Sequence, residues 1–173
     1  PRISPSELLT ILNQEVVESL NQRVDLENVS DEEERYATTD GMDIVVCEFN
    51  TKTYFLRFAS AMRPIIMYHK GEQYYIRGHR SSVGGSLLKG KEFENQEYQL
   101  AKGDIVYLFS DGYPDQFGGP RGKKFKMLGL KDKLEAIHTM NMDDQYREIE
   151  ETFDSWKGDQ DQVDDVLFMG IQV

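Results

Sequence analysis

The chain is poor in the residues that build disulfide frameworks and zinc sites. Its one cysteine, Cys47, excludes an internal disulfide and a cysteine-rich metal site. The three histidines (His69, His79 and His138) lack the spacing of zinc ligands. These shortages are typical of a protein that stays in a reducing cytoplasm.

Positive charge is also scarce, since 20 lysines and arginines face 31 acidic residues and leave a net charge of −11. Such a surface repels a phosphate backbone and argues against general nucleic-acid binding. No stretch approaches the ~20 apolar residues that cross a bilayer, and residues 1–4 do not resemble a signal peptide. We therefore expect a cytoplasmic protein with no membrane span in this chain and no nucleic-acid partner.

Several catalytic classes are excluded by spacing. A cysteine phosphatase needs an arginine six positions after its cysteine, and Thr53 occupies that place after Cys47. No Gly-x-Ser-x-Gly sequence is present to carry a serine nucleophile. No glycine-rich loop joins a predicted strand directly to a helix, which disfavours a small phosphate- or nucleotide-binding domain.

The sequence predicts an amphipathic helix at the start of the chain. Ser4 and Glu7 have the spacing of a capping box, and Pro5 suits the first helical position. Apolar residues then recur every fourth position at Leu8, Leu12, Val16 and Leu20. We expect this helix to end near residues 21–24 and two further helices over residues 131–139 and 142–156.

Short apolar segments between turn residues predict strands elsewhere. Four of them follow one another and predict an antiparallel meander, at residues 44–49, 54–58, 65–68 and 74–76. Three more strands are expected at residues 93–100, 105–109 and 166–171. The predicted fold class is α+β, with antiparallel sheets and helices packed outside them.

Acidic residues at strand ends are the candidates for chemistry. Asp111 follows the apolar strand 105–109, and Asp164 and Asp165 precede the closing strand. If these strands are neighbours, the acids converge at one end of a sheet, where carboxylates stay ionised together mainly around a cation. Oxygen ligands favour Mg²⁺ or Mn²⁺. The pattern by itself also fits, more simply, an ordinary turn and an ordinary polar strand entry.

A small cluster of positive charge stands out on this acidic chain. Residues 118–124 contain Arg121, Lys123 and Lys124 among glycines and a proline. Such a segment could attract a phosphorylated partner. A mobile, solvated loop is the simpler interpretation of the same residues.

Two motifs in the right order resemble a known family. Ser110-Asp111-Gly112, followed downstream by Gln162-Val163-Asp164-Asp165-Val166, resembles the SpoIIE/RsbU-type branch of the PPM (protein phosphatase 2C-like) metal-dependent serine/threonine phosphatases. Residues 100–119, 40–43 and 156–158 are similar to sensor-linked members of that branch. The likeness runs from Ser4 to Val173.

The resemblance implies an antiparallel β-sandwich flanked by helices, with a dinuclear Mn²⁺ or Mg²⁺ centre in the complete domain. It implies catalytic and metal-binding roles for Asp111 and Asp164, and a metal-binding role for Asp165 beside them. The implied reaction is hydrolysis of phosphoserine or phosphothreonine by a metal-activated water. The implied partners are a phosphorylated regulatory protein of the anti-anti-sigma type and an upstream sensor or receiver domain.

The chain also departs from the family pattern. Nothing in it matches the Gly-Asp motif and the second acidic loop with which the family's domain begins. We therefore predict that residues 1–173 are the C-terminal two-thirds of one phosphatase domain, lack its N-terminal strands and are nearly inactive alone. A sheet edge left unpaired would favour a homodimer.

One alternative function stays open. The chain could be a non-catalytic signalling module that uses the same fold to bind a regulator.

A second departure from the family pattern lies just before Pro64, where relatives commonly carry Gly or Asn and this chain carries Arg63. Arg63 is therefore a further candidate to face the substrate phosphate.

Overall fold

The computed structural model describes residues 2–20, 22, 40–85 and 92–173. The chain divides into two compact units. The first comprises Pro1–Pro64 and Arg77–Leu100, and the second comprises Ile65–Ile76 and Ala101–Val173. In chain order the described helices and strands are α1 (Pro5–Ser19), β1 (Gly41–Met42), β2 (Ile44–Asn50), β3 (Phe55–Ala61), β4 (Ile65–His69), β5 (Glu72–Ile76), β6 (Val83–Gly84), β7 (Gln96–Gln99), β8 (Ile105–Phe109), α2 (Gly112–Asp115), β9 (Phe117–Gly118), β10 (Lys123–Lys124), α3 (Lys126–Ile137), α4 (Met142–Lys157) and β11 (Phe168–Gln172).

Helix α1 begins as its sequence predicts. The Ser4 hydroxyl accepts a hydrogen bond from the Glu7 amide at 3.4 Å, and the Glu7 carboxylate accepts one from the Ser4 amide at 2.7 Å. The capping box is therefore formed. The helix ends at Ser19, just before the predicted end, and residues 21, 23 and 24 of that prediction lie outside the described residues.

The first unit contains a three-stranded antiparallel sheet in the order β2-β3-β7. Apolar side chains of α1 pack on this unit's core, where Leu9 is fully buried with Ala59, Ala61 and Val83. The predicted stripe is confirmed only in part. Leu12 and Val16 pack against this core beside Leu9, whereas Leu8 is 37% exposed and Leu20, which follows the helix, is 42% exposed.

The second unit contains a four-stranded antiparallel sheet in the order β11-β8-β4-β5. Strand β8 lies inside this sheet, and all but one of its five residues are buried. Helices α3 and α4 contribute Leu130, Leu134, Ile137 and Ile149 to the core that covers it. A continuous apolar run of this kind is what a strand covered by helices requires.

The expected four-stranded meander is wrong. β2 pairs with β3 in the sheet of the first unit, whereas β4 pairs with β5 in the sheet of the second. The two hairpins separate at Met62, whose φ of 64° is in the left-handed region, and at Pro64, which ends the first part of the first unit. The local hydrophobic pattern and turn residues predict each hairpin. They do not predict which sheet a hairpin joins, because that depends on contacts with strands far away in sequence.

Other boundaries shift by a few residues. Helix α3 begins at Lys126, earlier than predicted, and the strand expected at 93–100 is confined to Gln96–Gln99. The closing strand begins at Phe168, after a segment without regular structure. The predicted α+β class with antiparallel sheets is confirmed. Among the described residues, no helix is long and apolar enough to cross a membrane.

A buried acid joins two turns of the second unit. Asp104 is 4% exposed, and its carboxylate accepts hydrogen bonds from the amides of Ala101 at 2.7 Å and Lys70 at 2.9 Å. The Nδ1 atom of His69 lies 2.5 Å from the same carboxylate. Burial acts to raise the pKa of Asp104, but these hydrogen bonds and the charge of His69 outweigh it and leave the pKa below its ordinary value.

We expect Asp104→Asn to lower the free energy of unfolding by about 1–3 kcal/mol at pH 7, because the amide cannot replace all of the carboxylate's hydrogen bonds. The folded-state pKa is lower than the unfolded one, so this contribution is present above about pH 4 and is lost as the pH falls through the folded pKa. Urea denaturation at pH 7 and pH 3 measures it. The exposed Asp159→Asn is the control, and a loss of equal size at both pH values would contradict the assignment.

Candidate metal site at the ends of two paired strands

The two strands that carry the candidate acids are neighbours in the second unit. β8 and β11 pair antiparallel, with Phe109 opposite Phe168. The end of β8 and the start of β11 therefore lie at the same edge of the sheet. Asp111 follows β8 and Asp164 and Asp165 precede β11, so the fold brings the two acidic segments to one place.

Ser110 joins the two segments beyond the last strand pair. Its amide donates to the Leu167 carbonyl at 2.9 Å, and its hydroxyl donates to the Asp165 carbonyl at 2.8 Å. The same hydroxyl accepts a hydrogen bond from the Leu167 amide at 2.9 Å. A side chain thus continues the pairing where the backbone ladder stops, and it holds the residue before Asp111 against the backbone of Asp165.

Gly112 allows this close approach. A Cβ atom at position 112 would lie 2.5 Å from the Asp165 carbonyl oxygen, a distance that real side chains do not occupy. Any larger residue here would push the segment of Asp165 away from that of Asp111. The glycine of the Asp-Gly motif is therefore required for steric reasons at this position.

The turn after Asp111 is anchored in the core. The Asp111 carbonyl accepts a hydrogen bond from the Asp115 amide at 2.9 Å, which closes the short helix α2. Within that helix Tyr113 is 1% exposed, and its hydroxyl donates to the Ile149 carbonyl at 2.9 Å. Burial raises the pKa of Tyr113, so it stays protonated as a donor. Asp111 itself is half-buried at the sheet edge.

The segment of Asp164 and Asp165 is held from the other side by a buried amide. Gln116 is fully buried; its Nε2 donates to the Asp161 carbonyl at 2.9 Å, and its Oε1 accepts from the Val163 amide at 3.4 Å. The side chains of Asp164 and Asp165 are exposed, and the Asp164 carboxylate accepts from the Asp165 amide at 2.7 Å.

Whether these acids fit a divalent cation can be judged from their chemistry and grouping. Carboxylate oxygens are the ligands that Mg²⁺ and Mn²⁺ prefer. Within residues 2–20, 22, 40–85 and 92–173, however, no group of three or more His, Cys, Asp or Glu side chains is close enough to hold a metal ion. The donor type therefore fits, while the described acids supply only part of a coordination sphere.

Sequence reasoning named Asp111, Asp164 and Asp165 but missed the residues that hold them in place. The sequence motif includes Ser110 but does not indicate its bridging role, and no sequence pattern marks Gln116. A serine directly before a candidate acid at a strand end is a usable signal. The role of Gln116 has no comparable signal in the sequence, because its hydrogen-bond partners lie in a segment far along the chain.

Two other candidates have different surroundings. The Arg63 guanidinium lies 3.4 Å from the Asp43 carboxylate within the first unit, so this residue takes part in an ion pair there. Burial raises the pKa of the Cys47 thiol to about 11, which leaves almost no thiolate at neutral pH. The exclusion of cysteine chemistry thus has a physical basis.

We expect Ser110→Ala to lower the free energy of unfolding by about 1–2 kcal/mol, because it removes two hydrogen bonds between β8 and the segment of Asp165. Ser110→Thr retains the hydroxyl and should retain most of the stability. Urea denaturation of both variants tests this. Equal stability of wild type and Ser110→Ala would show that the bridge contributes nothing.

The comparisons with known proteins identify a family from the sequence and a fold from solved structures. The family model of Stage II sporulation protein E (SpoIIE) matches residues 1–173. The SiaA-PP2C domain of Pseudomonas aeruginosa is 22% identical with a TM-score of 0.70, over 96% of this chain and 70% of that one. The PP2C phosphatase domain of SpoIIE from Bacillus subtilis, with a fragment of its regulatory domain, is 15% identical with a TM-score of 0.61, over 98% and 49%.

A third similar structure contains the RsbU and RsbW domains of Rv1364c from Mycobacterium tuberculosis, at 14% identity and a TM-score of 0.60, over 96% of this chain and 46% of that one. The chain thus spans about half the length of the last two. The search of curated proteins gave no significant match. The chain belongs to the SpoIIE family, and its α+β fold is that of PP2C-type phosphatase domains.

Proposed function

We propose that this chain is part of a metal-dependent protein serine/threonine phosphatase that removes phosphate from a regulatory protein in bacterial signalling. The observation that carries the proposal is the pairing of β8 with β11, since it brings the segments of Asp111 and Asp164 to one sheet edge. Membership of the SpoIIE family supports the phosphatase class.

In this proposal Asp111 and Asp164 are catalytic metal ligands and Asp165 is a further ligand beside them. Structures of similar fold support the choice of metal: one is a SpoIIE phosphatase domain presoaked with manganese, and another is RsbX in complex with magnesium. A dinuclear Mn²⁺ or Mg²⁺ centre, when bound, supplies Lewis acidity and a nucleophilic water for phosphate hydrolysis. Ser110 and Gly112 position the acids by holding their two segments together.

We further propose that residues 1–173 are the C-terminal two-thirds of the phosphatase domain. The chain covers 70% of the SiaA-PP2C chain, and its three acids make only part of a coordination sphere. A parent protein would supply the remaining ligands, an upstream sensor or receiver domain, and a phosphorylated regulatory protein of anti-anti-sigma type as substrate. The competing proposal is a non-catalytic module that binds such a regulator with the same fold.

The first experiment measures phosphate release from a phosphoserine peptide by the parent protein with and without Mn²⁺. Asp111→Asn and Asp164→Asn should each lower kcat/KM by about 100-fold or more, because loss of a charged ligand weakens the metal centre. The matched control is Asp161→Asn, an exposed acid in the same segment whose carbonyl, rather than carboxylate, makes the contact with Gln116.

The outcomes separate the two proposals. Activity in the parent that needs Mn²⁺ and both acids supports the enzyme. Full activity in Asp111→Asn would rule out its role as a ligand. An inactive parent that still binds a phosphorylated regulator would favour the non-catalytic module. This chain alone should be nearly inactive, so Mn²⁺-dependent turnover by residues 1–173 would contradict the two-thirds assignment.

A homodimer is predicted from the edge of the second unit's sheet. Among the described residues no strand pairs with the outer side of β11, and this strand carries neither charge nor proline to discourage pairing. Residues 1–173 should therefore elute earlier from size-exclusion columns as concentration rises. Strictly monomeric behaviour up to high concentration would count against a dimer through this edge.

A further inference from the structure

A hairpin follows the candidate metal site directly in the chain. We call residues 117–126 the basic hairpin: it comprises β9, β10, the turn between them and the start of α3. Its base is tied to the segment that begins at Asp111. The Phe125 amide donates to the Gln116 carbonyl at 2.9 Å, and the Lys124 ammonium lies 2.9 Å from the carboxylate of Asp115, the last residue of α2.

The basic hairpin is built against a tryptophan of α4. The Gly119 amide donates to the Trp156 carbonyl at 2.7 Å, and the indole of Trp156 donates to the Gln116 carbonyl at 3.1 Å. A Cβ atom at Gly118 would lie 1.7 Å from that same Trp156 carbonyl oxygen. Only glycine fits there, so the expectation of a loosely held loop gives way to a hairpin with defined contacts.

Of the four cations in the basic hairpin, only Lys124 makes an ion pair within the part of the chain that the structure describes. Lys124 is neutralised by Asp115, and its ammonium also lies 5.7 Å from the centre of the Phe117 ring. Arg121, Lys123 and Lys126 are exposed, and within the described part of the chain no carboxylate lies within 4 Å of their charged groups. Three cations with no carboxylate partner among the described residues therefore belong to the hairpin that follows the Asp111 segment in the chain, on a protein of net charge −11.

Exposed cations of this kind add little to folding stability. They act at longer range, by attracting an oppositely charged partner and correcting its orientation during encounter. Three cations are too few for a membrane anchor, since such anchors use clusters of about four to eight basic residues on juxtamembrane segments or amphipathic helices. An acidic stretch of a protein substrate is the partner that this number of charges and this position favour.

We propose that the basic hairpin binds an acidic segment next to the phosphorylated residue of the substrate and thereby sets substrate preference. This inference rests on the proposed phosphatase function. It identifies Arg121 and Lys123 as specificity residues that touch the substrate outside the reacting phosphate. Their contribution is made in substrate binding as well as in the transition state, so it should alter KM and leave kcat unchanged.

The test compares two phosphoserine peptides that differ only in the flanking residues, glutamate in one and glutamine in the other. In the parent protein, Arg121→Glu with Lys123→Glu should raise KM for the acidic peptide about 10-fold with kcat unchanged, and change KM for the neutral peptide less than about 2-fold. The effect should shrink in 0.5 M salt, because exposed charges are then screened. Arg121→Gln with Lys123→Gln should give an intermediate effect.

The matched control reverses two exposed lysines elsewhere, Lys52→Glu with Lys102→Glu, and changes net charge by the same amount. An equal rise in KM in this control would reduce the effect to overall charge and overturn the proposal. So would equal changes for both peptides, or no change in the hairpin variant. Thermal unfolding of each variant shows that the fold is retained.

A binding measurement keeps this inference separate from the proposed catalysis. Fluorescence anisotropy of the labelled acidic peptide with residues 1–173 needs no turnover. Weaker binding by the hairpin variant than by the lysine control supports the docking role even if the parent releases no phosphate, in which case only the enzyme proposal fails. Equal binding by wild type and the hairpin variant overturns the docking role even if the parent is an active phosphatase.

Discussion

The hydrogen-bonded pairing of β8 with β11 is the constraint on which the functional interpretation depends. It joins the middle of the chain to its last residues and brings two acidic segments to one sheet edge. Ser110 extends the pairing by one more step through its side chain, and Gly112 provides the space in which the backbone of Asp165 can lie. Without this pairing, the acids would be ordinary exposed residues of separate turns.

The candidate acidic site and the basic hairpin are consecutive along the chain in the second unit. The segment that starts at Asp111 continues through α2 into the basic hairpin, and the two regions share their anchors in the core. Gln116 fastens the segment before Asp164, while its carbonyl accepts hydrogen bonds from Phe125 and Trp156. A cation site and a docking site for an acidic substrate would therefore be held in register by the same buried groups.

Local features were predictable to the extent that their causes are local. The capping box of Ser4 and Glu7 involves residues three positions apart, and each β-hairpin is closed by its own turn. The prediction of a four-stranded meander was wrong because the hydrophobic pattern does not indicate which sheet a hairpin joins. The sequence did not predict a hairpin at residues 117–124, because the residue that holds it, Trp156, lies far along the chain in α4.

The amino-acid sequence by itself determined the α+β class, the bounds of most elements to within a few residues, and the identity of Asp111, Asp164 and Asp165 as candidate ligands. These follow from periodicity, caps and motifs, which act over a few neighbouring positions. Only the tertiary structure decided that the acids share an edge and that Ser110 and Gln116 hold them. Those relations depend on hydrogen bonds between segments some fifty positions apart, and their formation is decided by the packing of the whole unit.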